Sequence, residues 1–533
     1  MGKLKREIGL IGLTFVAVSG IIGSGWLFAP LLAAQHAGPA ALIAWVIGGA
    51  AMLLFALTFA EISAMLPVAG GIARVPQFSH GNVVAMAMGW SAWVGYNTTA
   101  PIEVEAMLRY LGPHLGWLYT APGSGSLSWA GVAVAGLMMV CFTVINAFGV
   151  RFFTRVNTAI TWLKIAIPLV VIVALLAARF EPANFTQGNG GFAPFGVAGV
   201  LAAVSSGGIA FSFIGFRHAI DMAGEVKNPG VTIPIALVLA LAIAFVVYGG
   251  IQFAFTGALL PSDLAHGWGA LALPGDFGPL GALAAALGML WLVSLLNFGA
   301  VVGPFAGGLV SVGSNARLAF ALAENGFFPE RFAALSARGV PVAALLLNLV
   351  FSLTTFVLLP FSEVVQLNSS AVILSFVVGP VAVVALRQLL PDATRPLRVP
   401  AVMLVAPVAF IIATFIIYWS GWPTVWRLGL CLLAGLVLFL FHARHRAAGS
   451  LDLAEAVWLA PYLGGLGLVS FLGSFGGVGL IPFGWDLLVL AALGGGAFAL
   501  AVGERLSQAK FDRYMSEERV LDAATEEEPE VRV

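Results

Sequence analysis

Charge and cysteine are both scarce in this sequence of 533 residues. Only 9% of the residues are charged and the formal net charge is zero, whereas an average soluble domain carries about 25% charged residues. No nucleic-acid partner is expected, because nothing points to a basic surface. Cys141 and Cys431 lie inside apolar runs, which argues against a disulfide framework and a cysteine-based metal site. No P-loop motif is present, so we predict no ATP coupling, no cofactor and no metal.

Long apolar runs make up most of the sequence. The chain is 60% hydrophobic and contains 64 glycines, and the runs are about 20 residues long, the length of a helix that spans a bilayer. We therefore predict an all-α integral membrane protein, in contact with membrane lipid, with about fourteen transmembrane helices. The predicted spans lie near residues 8–30, 39–65, 82–108, 129–150, 158–178, 196–222, 233–258, 279–313, 341–359, 363–386, 400–419, 424–442, 455–471 and 485–502.

Lysine and arginine give these spans an orientation. If the N-terminus is cytoplasmic, most of the 25 Lys and Arg residues fall on the cytoplasmic side, as the positive-inside rule requires. We therefore predict a protein of the cell (inner) membrane with both termini in the cytoplasm. Residues 1–7 would form a cytoplasmic N-terminus. Residues 503–533 would form a cytoplasmic tail, which we expect to be disordered because its end is rich in glutamate.

The segment Ser314–Gly339 is the longest polar insertion between spans. Its charged and apolar residues alternate at helical spacing, which predicts a short amphipathic helix on the cytoplasmic face. A plain connecting loop is the alternative.

Small residues cluster in the middle of two spans. Gly20, Gly23 and Gly25 each weaken the first span by about 1 kcal/mol relative to alanine, and residues 205–208 of the sixth span read Ser-Ser-Gly-Gly. Interrupted helices in corresponding positions of two halves are typical of an inverted-repeat transporter. Spans one to five (8–178) would form one repeat and spans six to ten (196–386) the other. This transport core, 8–390, would be followed by additional transmembrane helices at 400–502.

An interrupted helix frees backbone groups at membrane depth, and lipid cannot satisfy them. The N-terminal end of a half-helix presents N–H groups that suit a carboxylate. Carbonyl groups at the C-terminal end of the other half suit an ammonium group or a cation. Both kinds of group in one site predict a zwitterionic ligand. Close packing of small residues without a ligand is the alternative.

Three motifs resemble the amino acid–polyamine–organocation (APC) transporter superfamily: Gly20-Ile21-Ile22-Gly23-Ser24-Gly25, Phe211-Ser212-Phe213-Ile214-Gly215-Phe216, and Glu225-Val226-Lys227-Asn228-Pro229 with Ile233-Pro234. The resemblance covers roughly residues 8 to 450. It implies an amino acid permease with the five-plus-five inverted-repeat (LeuT-like) fold, in which helices one and six are unwound. Within the superfamily, the chain is most similar to the aspartate–proton symporter group.

The resemblance also implies roles for individual residues. The backbone of Ile22, Gly23, Ser24 and Gly25 would hold the substrate carboxylate. Carbonyl groups near Phe211, Ser212, Phe213 and Ile214 would meet the amino group, with the Phe211 ring as a lid. Lys164 in span five would replace a sodium ion between helices one and five and couple transport to protons, in which case it should lie near the Gly20–Gly23 backbone. The alternative is a lysine that snorkels to the membrane surface.

Arg217 stands where many members of the superfamily have an acidic residue. Arg217 and Asp221 are four residues apart, so they share a helical face and could form an internal ion pair. Alternatively, the guanidinium of Arg217 receives a side-chain carboxylate of the substrate. His218 beside them could titrate near neutral pH or serve as a simple hydrogen-bonding residue.

Other polar residues in the spans have simpler interpretations. We expect Asn297, Asn368 and Ser369 to join neighbouring helices, although they could also line the cavity. Asn97, Asn297, Asp221 and His218 could also support the residues that contact the substrate from behind. We expect Glu103 and Glu105 to have structural roles near the outer surface. The alternative is that one of them faces the site, because the two point to different faces of the helix. We expect Glu61 to pack against cytoplasmic loops.

These features together predict a secondary active transporter and not an enzyme. The expected activity is amino acid uptake coupled to protons, with acidic amino acids such as aspartate as candidate substrates. Exchange of amino acids or amines and sodium-independent uptake of neutral amino acids are the alternatives within transport. An intramembrane enzyme would need a concentrated catalytic cluster, whereas the seven histidines are scattered along the chain. A channel is disfavoured because interrupted helices suit an occluded site.

Overall fold

The computed structural model describes residues 6, 8–67, 71–111, 115–121, 126–148, 151–186, 190–273, 278–336, 338–443 and 451–516. Regular secondary structure in these residues is helical apart from two isolated bridges, Ile8–Val226 and Tyr119–Leu127. The all-α prediction is confirmed. The rest of the predicted N-terminus and tail lies outside the described residues.

Helices follow one another along the whole described chain, with a turn of 3₁₀-helix at Ile214–Phe216. They are α1 (Leu10–Ile21), α2 (Gly25–Ala37), α3 (Ala41–Met65), α4 (Gly71–Leu111), α5 (Trp129–Phe148), α6 (Arg151–Ala178), α7 (Ala183–Thr186), α8 (Gly196–Ser205), α9 (Ile209–Phe213), α10 (Arg217–Asp221), α11 (Pro229–Ala258), α12 (Gly278–Ala286), α13 (Leu290–Glu324), α14 (Val342–Leu358), α15 (Phe361–Phe376), α16 (Val378–Leu389), α17 (Val402–Trp419), α18 (Trp422–Ala443), α19 (Leu459–Leu472) and α20 (Trp485–Gly503).

Many of these helices could cross a membrane. Within the described ranges, ten are long and apolar enough, or eleven if the bent pair 196–205 and 209–221 counts as one span. Helices α1 and α14 are apolar but shorter. An integral membrane protein is consistent with this result. Fourteen spans, the five-plus-five repeat and cytoplasmic termini remain predictions.

Both predicted interruptions are confirmed. The first span stops being helical at residues 22–24, between α1 and α2. The sixth span is interrupted between α8 and α9, and its two parts are bent by 43°. Gly208 at this second interruption has φ +78°, a left-handed conformation that glycine adopts without strain.

The interrupted helices pack among several longer helices. Helix α4 packs extensively against α13 and α15, and α5 packs against α14. Helix α11 packs against α3 and α6, and α6 also packs against α13. Helix α1 contacts α11 and the turn at Ile214–Phe216, so the two interruptions are held together by the surrounding helices.

The polar insertion after span eight differs from its prediction. The segment from Ser314 was expected to form a separate amphipathic helix, but α13 continues through it to Glu324 without a break. A short 3₁₀-helix follows at Glu330–Ala333. The buried face of α13 continues through Ala316, Ala319, Leu322 and Ala323. No glycine or proline ends the helix before Gly326.

Glu61 anchors α3 to the chain that follows α16. Its carboxylate accepts hydrogen bonds from Arg387 Nε at 2.8 Å and Nη2 at 2.7 Å, and from the Val399 N–H at 2.7 Å. Arg395 Nε lies 3.6 Å away. The glutamate is 1% exposed, so its charge is buried but paired. The predicted packing of Glu61 against a loop is confirmed.

A further helix at 508–516 occupies part of the tail that was expected to be disordered. It is held by the buried carboxylate of Asp452, which accepts hydrogen bonds from Tyr514 Oη and from the Asn82 N–H at 3.3 Å. Lys510 Nζ lies 3.0 Å from Asp452 and 2.7 Å from Glu455. The hydrogen bond to Glu455 raises the pKa of Lys510. Its contribution to stability is therefore full at neutral pH and lost only as pH rises through the raised value.

Asp452→Asn should loosen this C-terminal helix. The substitution removes the buried charge that Lys510 and Tyr514 share, and a hydrogen bond to a charged group contributes about 1.5 kcal/mol. We expect amide protection of residues 508–516 to fall roughly tenfold in hydrogen-exchange measurements. Asp512→Asn is the control, because Asp512 is exposed and bonds only Gln508, at 3.0 Å, among the described residues. Equal protection in all three proteins would contradict the anchoring role of Asp452.

Candidate substrate site

The first interruption and its flanks lie close to the part of the sixth span that follows the second interruption. A Cβ atom on Gly25 would lie 2.4 Å from Ser212 Oγ. A Cβ atom on Gly215 would lie 2.0 Å from the carbonyl carbon of Gly20. Neither glycine leaves room for a side chain, because the backbone of one interrupted helix lies directly against the other. The two interrupted spans therefore pack against each other, while a binding site shared by their interruptions stays a prediction.

Glu103 of α4 lies against the first interruption. Its Oε1 accepts a hydrogen bond from the Ser24 N–H at 3.2 Å, and a Cβ atom on Gly23 would lie 2.3 Å from the same oxygen. The side chain is 3% exposed. A carboxylate of the protein itself therefore occupies the N–H group at the positive end of α2. The expected role of Glu103 near the outer surface is wrong.

Lys164 of α6 lies on the other side of the same interruption. Its Nζ donates a hydrogen bond to the Ser19 carbonyl at 3.0 Å, at the end of α1, so the expected proximity to this backbone is confirmed. A Cβ atom on Gly303 of α13 would lie 3.9 Å from the Lys164 side chain. A Cβ atom on Gly307 of the same helix would lie 3.4 Å from the Glu103 side chain. The two glycines are one helical turn apart. The ammonium group of Lys164 and the carboxylate of Glu103 are both buried next to the interruption. They pack against adjacent turns of α13.

Tyr248 of α11 bridges the carbonyl groups of the two interruptions. Its hydroxyl donates to the Ile21 carbonyl at 2.6 Å and lies 3.1 Å from the Ser212 carbonyl. The ring stacks on Trp45 at 5.0 Å and meets Phe213 edge-on at 5.5 Å. The phenol oxygen thus lies between a carbonyl group of α1, which also accepts a hydrogen bond from the Gly23 N–H at 2.9 Å, and a carbonyl group of α9. It marks where a ligand's ammonium group would compete.

A small pocket lies beside the N-terminal end of α2. The Phe211 ring, for which the family resemblance implies the role of a lid over the substrate, lines this pocket. Phe213 is fully buried and packs against Trp45 at 5.7 Å, outside the pocket. Ile22 and Ile214 are buried near the interruptions and do not line it. The pocket is lined by Ser24, Gly25, Phe28, Ala29, Leu32, Gly208, Phe211, Phe361 and Val365.

Arg217 is buried beside α4 and is 2% exposed. Its guanidinium carbon lies 3.0 Å from the centroid of the Tyr96 ring, a cation–π arrangement. Nε and Nη1 have no hydrogen-bond partner among the described residues, and no ion pair with Asp221 is present among them. The geometry therefore leaves donors of this guanidinium available.

The remaining predicted site residues have different contacts. His218 packs on α1, where a Cβ atom on Gly20 would lie 2.3 Å from its ring. Asn97 donates to Asn348 Oδ1 at 3.2 Å and so joins α4 to α14. Asn297 Oδ1 is buried without a hydrogen-bond partner in the described part of the chain.

Two further expectations concern α15. Asn368 donates to the Gly95 carbonyl at 2.6 Å and joins α15 to α4, as expected. Ser369 bonds the Val365 carbonyl of its own helix at 2.9 Å, so its hydrogen bond joins no other helix.

Comparison with known proteins agrees with this geometry. Residues 8–437 match the amino acid permease family. The chain belongs to this family. It is an amino acid transporter of the APC superfamily, as its three motifs indicate, and the predicted membrane location is consistent with that membership.

Curated relatives of this permease are transporters of several substrates. The glutamate/serine transporter AimA of Bacillus subtilis (strain 168) is 37% identical over 502 residues, which cover 92% of each chain. The aspartate-proton symporter of the same organism is 34% identical over 500 residues, or 92% of this permease and 95% of the symporter. The branched-chain amino acid permease BcaP, also from that organism, is 28% identical over 453 residues, or 83% of this chain and 94% of BcaP.

Sequence reasoning missed the roles of Glu103 and Tyr248. Glu103 carried a signal, because a carboxylate inside an apolar span requires a partner and the freed N–H groups of span one are donors. The sequence signal for Tyr248 was weaker. It lies within an otherwise apolar helix, where a buried hydroxyl needs an acceptor.

Proposed function

We propose that this permease imports amino acids together with protons, and that acidic amino acids are among its substrates. The observation that carries the proposal is the Ser24 N–H group, which binds the carboxylate of Glu103. The Ser212 carbonyl of α9, which Tyr248 contacts, offers an acceptor on the sixth span. A zwitterion can satisfy both sets of groups at once.

The substrate would take over contacts that the protein makes to itself. Its α-carboxylate replaces Glu103 at the Ser24 N–H group and extends to the neighbouring N–H groups of residues 23–25, where the helix dipole stabilises negative charge. Its ammonium group binds the carbonyl groups that Tyr248 now bridges. The Phe211 ring covers the apolar part of the substrate. These contacts involve only the common part of an amino acid, so they select the class and not the side chain.

Selectivity for acidic side chains is assigned to Arg217. A buried guanidinium with unpaired donors attracts a carboxylate strongly, because solvent does not screen the charge. The names of the glutamate/serine transporter and the aspartate-proton symporter support acidic substrates for this permease and add serine as a candidate. The pairing of Arg217 with Asp221 in another conformation remains the alternative role.

Proton coupling is assigned to Lys164, with Glu103 as its electrostatic partner. The Lys164 ammonium holds the Ser19 carbonyl where a sodium ion would otherwise be needed. A proton that leaves this ammonium, or one that neutralises a displaced Glu103, changes the charge at the interruption. Such a change alters the contact between α1 and its neighbours, so protonation and conformation are linked.

Uptake by the purified permease in liposomes tests this proposal. Labelled aspartate, glutamate, serine, leucine and lysine should be offered with and without an inward proton gradient. We expect aspartate or glutamate to accumulate severalfold above equilibrium only with the gradient. Accumulation of neutral or basic amino acids alone would refute the selectivity assigned to Arg217. Gradient-independent uptake that requires internal amino acid would establish exchange instead.

A further inference from the structure

A guanidinium lies against two aromatic rings that line the pocket described above. Phe28 of α2 and Phe361 of α15 line the pocket and contact each other with ring centroids 5.1 Å apart. The two rings, here called the aromatic roof, are 6% and 4% exposed. The guanidinium carbon of Arg109 lies 4.5 Å from the Phe361 centroid and 5.9 Å from the Phe28 centroid. One cation therefore contacts both rings that close the pocket.

The neighbours of Arg109 hold it at this place. Glu105 lies one helical turn earlier on α4, is 4% exposed and attracts the Arg109 charge. The next residue, Tyr110, donates a hydrogen bond to the Leu27 carbonyl at 3.2 Å and packs edge-on against Phe28 at 5.6 Å. The end of α4 is thus fastened to α2, and Arg109 extends this contact to α15.

We infer that Arg109 is a gating residue, which holds the aromatic roof closed over the pocket by a cation–π contact that must break before a ligand enters or leaves. The inference rests on the proposed function, because it assumes that this pocket receives the substrate. The three elements that meet at Arg109 belong to different spans. A ligand of amino acid size cannot pass Phe28 and Phe361 while both rings stay in contact. Separation of α2 from α15 removes Arg109 from at least one ring.

The structure also distinguishes this role from simple attraction of acidic substrates. Electrostatic attraction of anions needs only a positive charge near the pocket and no contact with particular rings. Arg109 instead contacts the two rings and is partly buried. Its planar group suits stacking, which a lysine ammonium reproduces only in part.

Thiol labelling of the pocket tests the gate without any amino acid. The background protein carries Cys141→Ser and Cys431→Ser, and Ala29→Cys places a reporter on the pocket wall below the roof. Val365→Cys is a second reporter in case the first disturbs folding. Cells that express each protein are treated from outside with a membrane-impermeant methanethiosulfonate reagent, and the labelling rate is measured.

We expect Arg109→Gln and Phe361→Leu each to raise the labelling rate about threefold to tenfold, because either change removes the cation–π contact. Arg109→Lys should label at an intermediate rate. Arg179→Gln is the matched control, since Arg179 bonds the Leu259 carbonyl and pairs with Glu181 at 3.7 Å. Its labelling rate should equal that of the background protein, and all variants should elute as folded protein in size-exclusion chromatography.

Equal labelling rates in the folded Arg109→Gln, Phe361→Leu and background proteins, with either reporter, would overturn the gating role. So would labelling of inverted membrane vesicles by the same reagent with no labelling of intact cells. Failure of the proposed function is a separate outcome. If the permease takes up no amino acid in liposomes, the labelling rate of the reporter cysteine still measures how often the aromatic roof opens.

Discussion

Lys164→Ala is expected to remove the proton dependence of uptake and to lower gradient-driven uptake at least about tenfold, which corresponds to about 1.4 kcal/mol. The substitution deletes the ammonium that binds the Ser19 carbonyl. It also leaves the carboxylate of Glu103 buried without the nearby positive charge, a loss that costs several kcal/mol in a buried pair. Initial uptake rates in liposomes, with and without an inward proton gradient, measure the effect.

Two further variants sharpen this prediction. Lys227→Ala removes an exposed lysine and should leave both rates unchanged. Glu103→Gln should also weaken the dependence on the gradient, because it removes the carboxylate from the Ser24 N–H group while keeping its size. If Lys164→Ala transports with the same ratio of rates as the unmodified permease, Lys164 has no part in coupling.

Gly215→Ala is expected to reduce uptake at least about tenfold in a folded protein. A Cβ atom at this position would lie 2.0 Å from the Gly20 carbonyl carbon, and the obstructing atoms are backbone. The two interrupted helices must therefore separate, at a cost of about 1–3 kcal/mol for an overpacked contact. The variant should populate the conformation in which α1 and the turn at Ile214–Phe216 are apart. Uptake measurements and equilibrium binding of labelled glutamate on the same preparation test this.

Gly249→Ala provides the matched control. Gly249 lies within α11, and no atom lies within 4 Å of its added Cβ. Alanine is also the better helix former. We expect uptake by this variant to match the unmodified permease. Normal uptake by Gly215→Ala would show that the contact between Gly20 and Gly215 is not required for transport.

The interruptions could be predicted from the sequence because they depend on local chemistry. Clusters such as Gly23-Ser24-Gly25 and Ser206-Gly207-Gly208 weaken a helix wherever it lies. Their correspondence five spans apart then predicted that they share a site. The family motifs added the ligand class. The proximity of Lys164 to the first interruption was also predicted, although its role in proton transfer remains a proposal.

The positions of Glu103 and Tyr248 depend on the three-dimensional arrangement. Which face of α4 or α11 meets the interruptions is set by helix rotation and tilt, and almost uniformly apolar spans carry little periodic signal for either. Glu103 was therefore assigned to the surface, although it binds the Ser24 N–H group. The same difficulty explains the extension of α13 beyond Ser314, where a polar pattern indicated a new helix and the old one continued.

The most direct test concerns the α-carboxylate that the N–H groups of residues 23–25 are proposed to bind. Glutamate and 4-aminobutyrate differ only in this group, as do serine and ethanolamine. We expect excess unlabelled glutamate to abolish uptake of labelled glutamate into liposomes, and an equal excess of 4-aminobutyrate or ethanolamine to leave it largely unchanged. Inhibition by 4-aminobutyrate as strong as that by glutamate would contradict carboxylate binding at the first interruption.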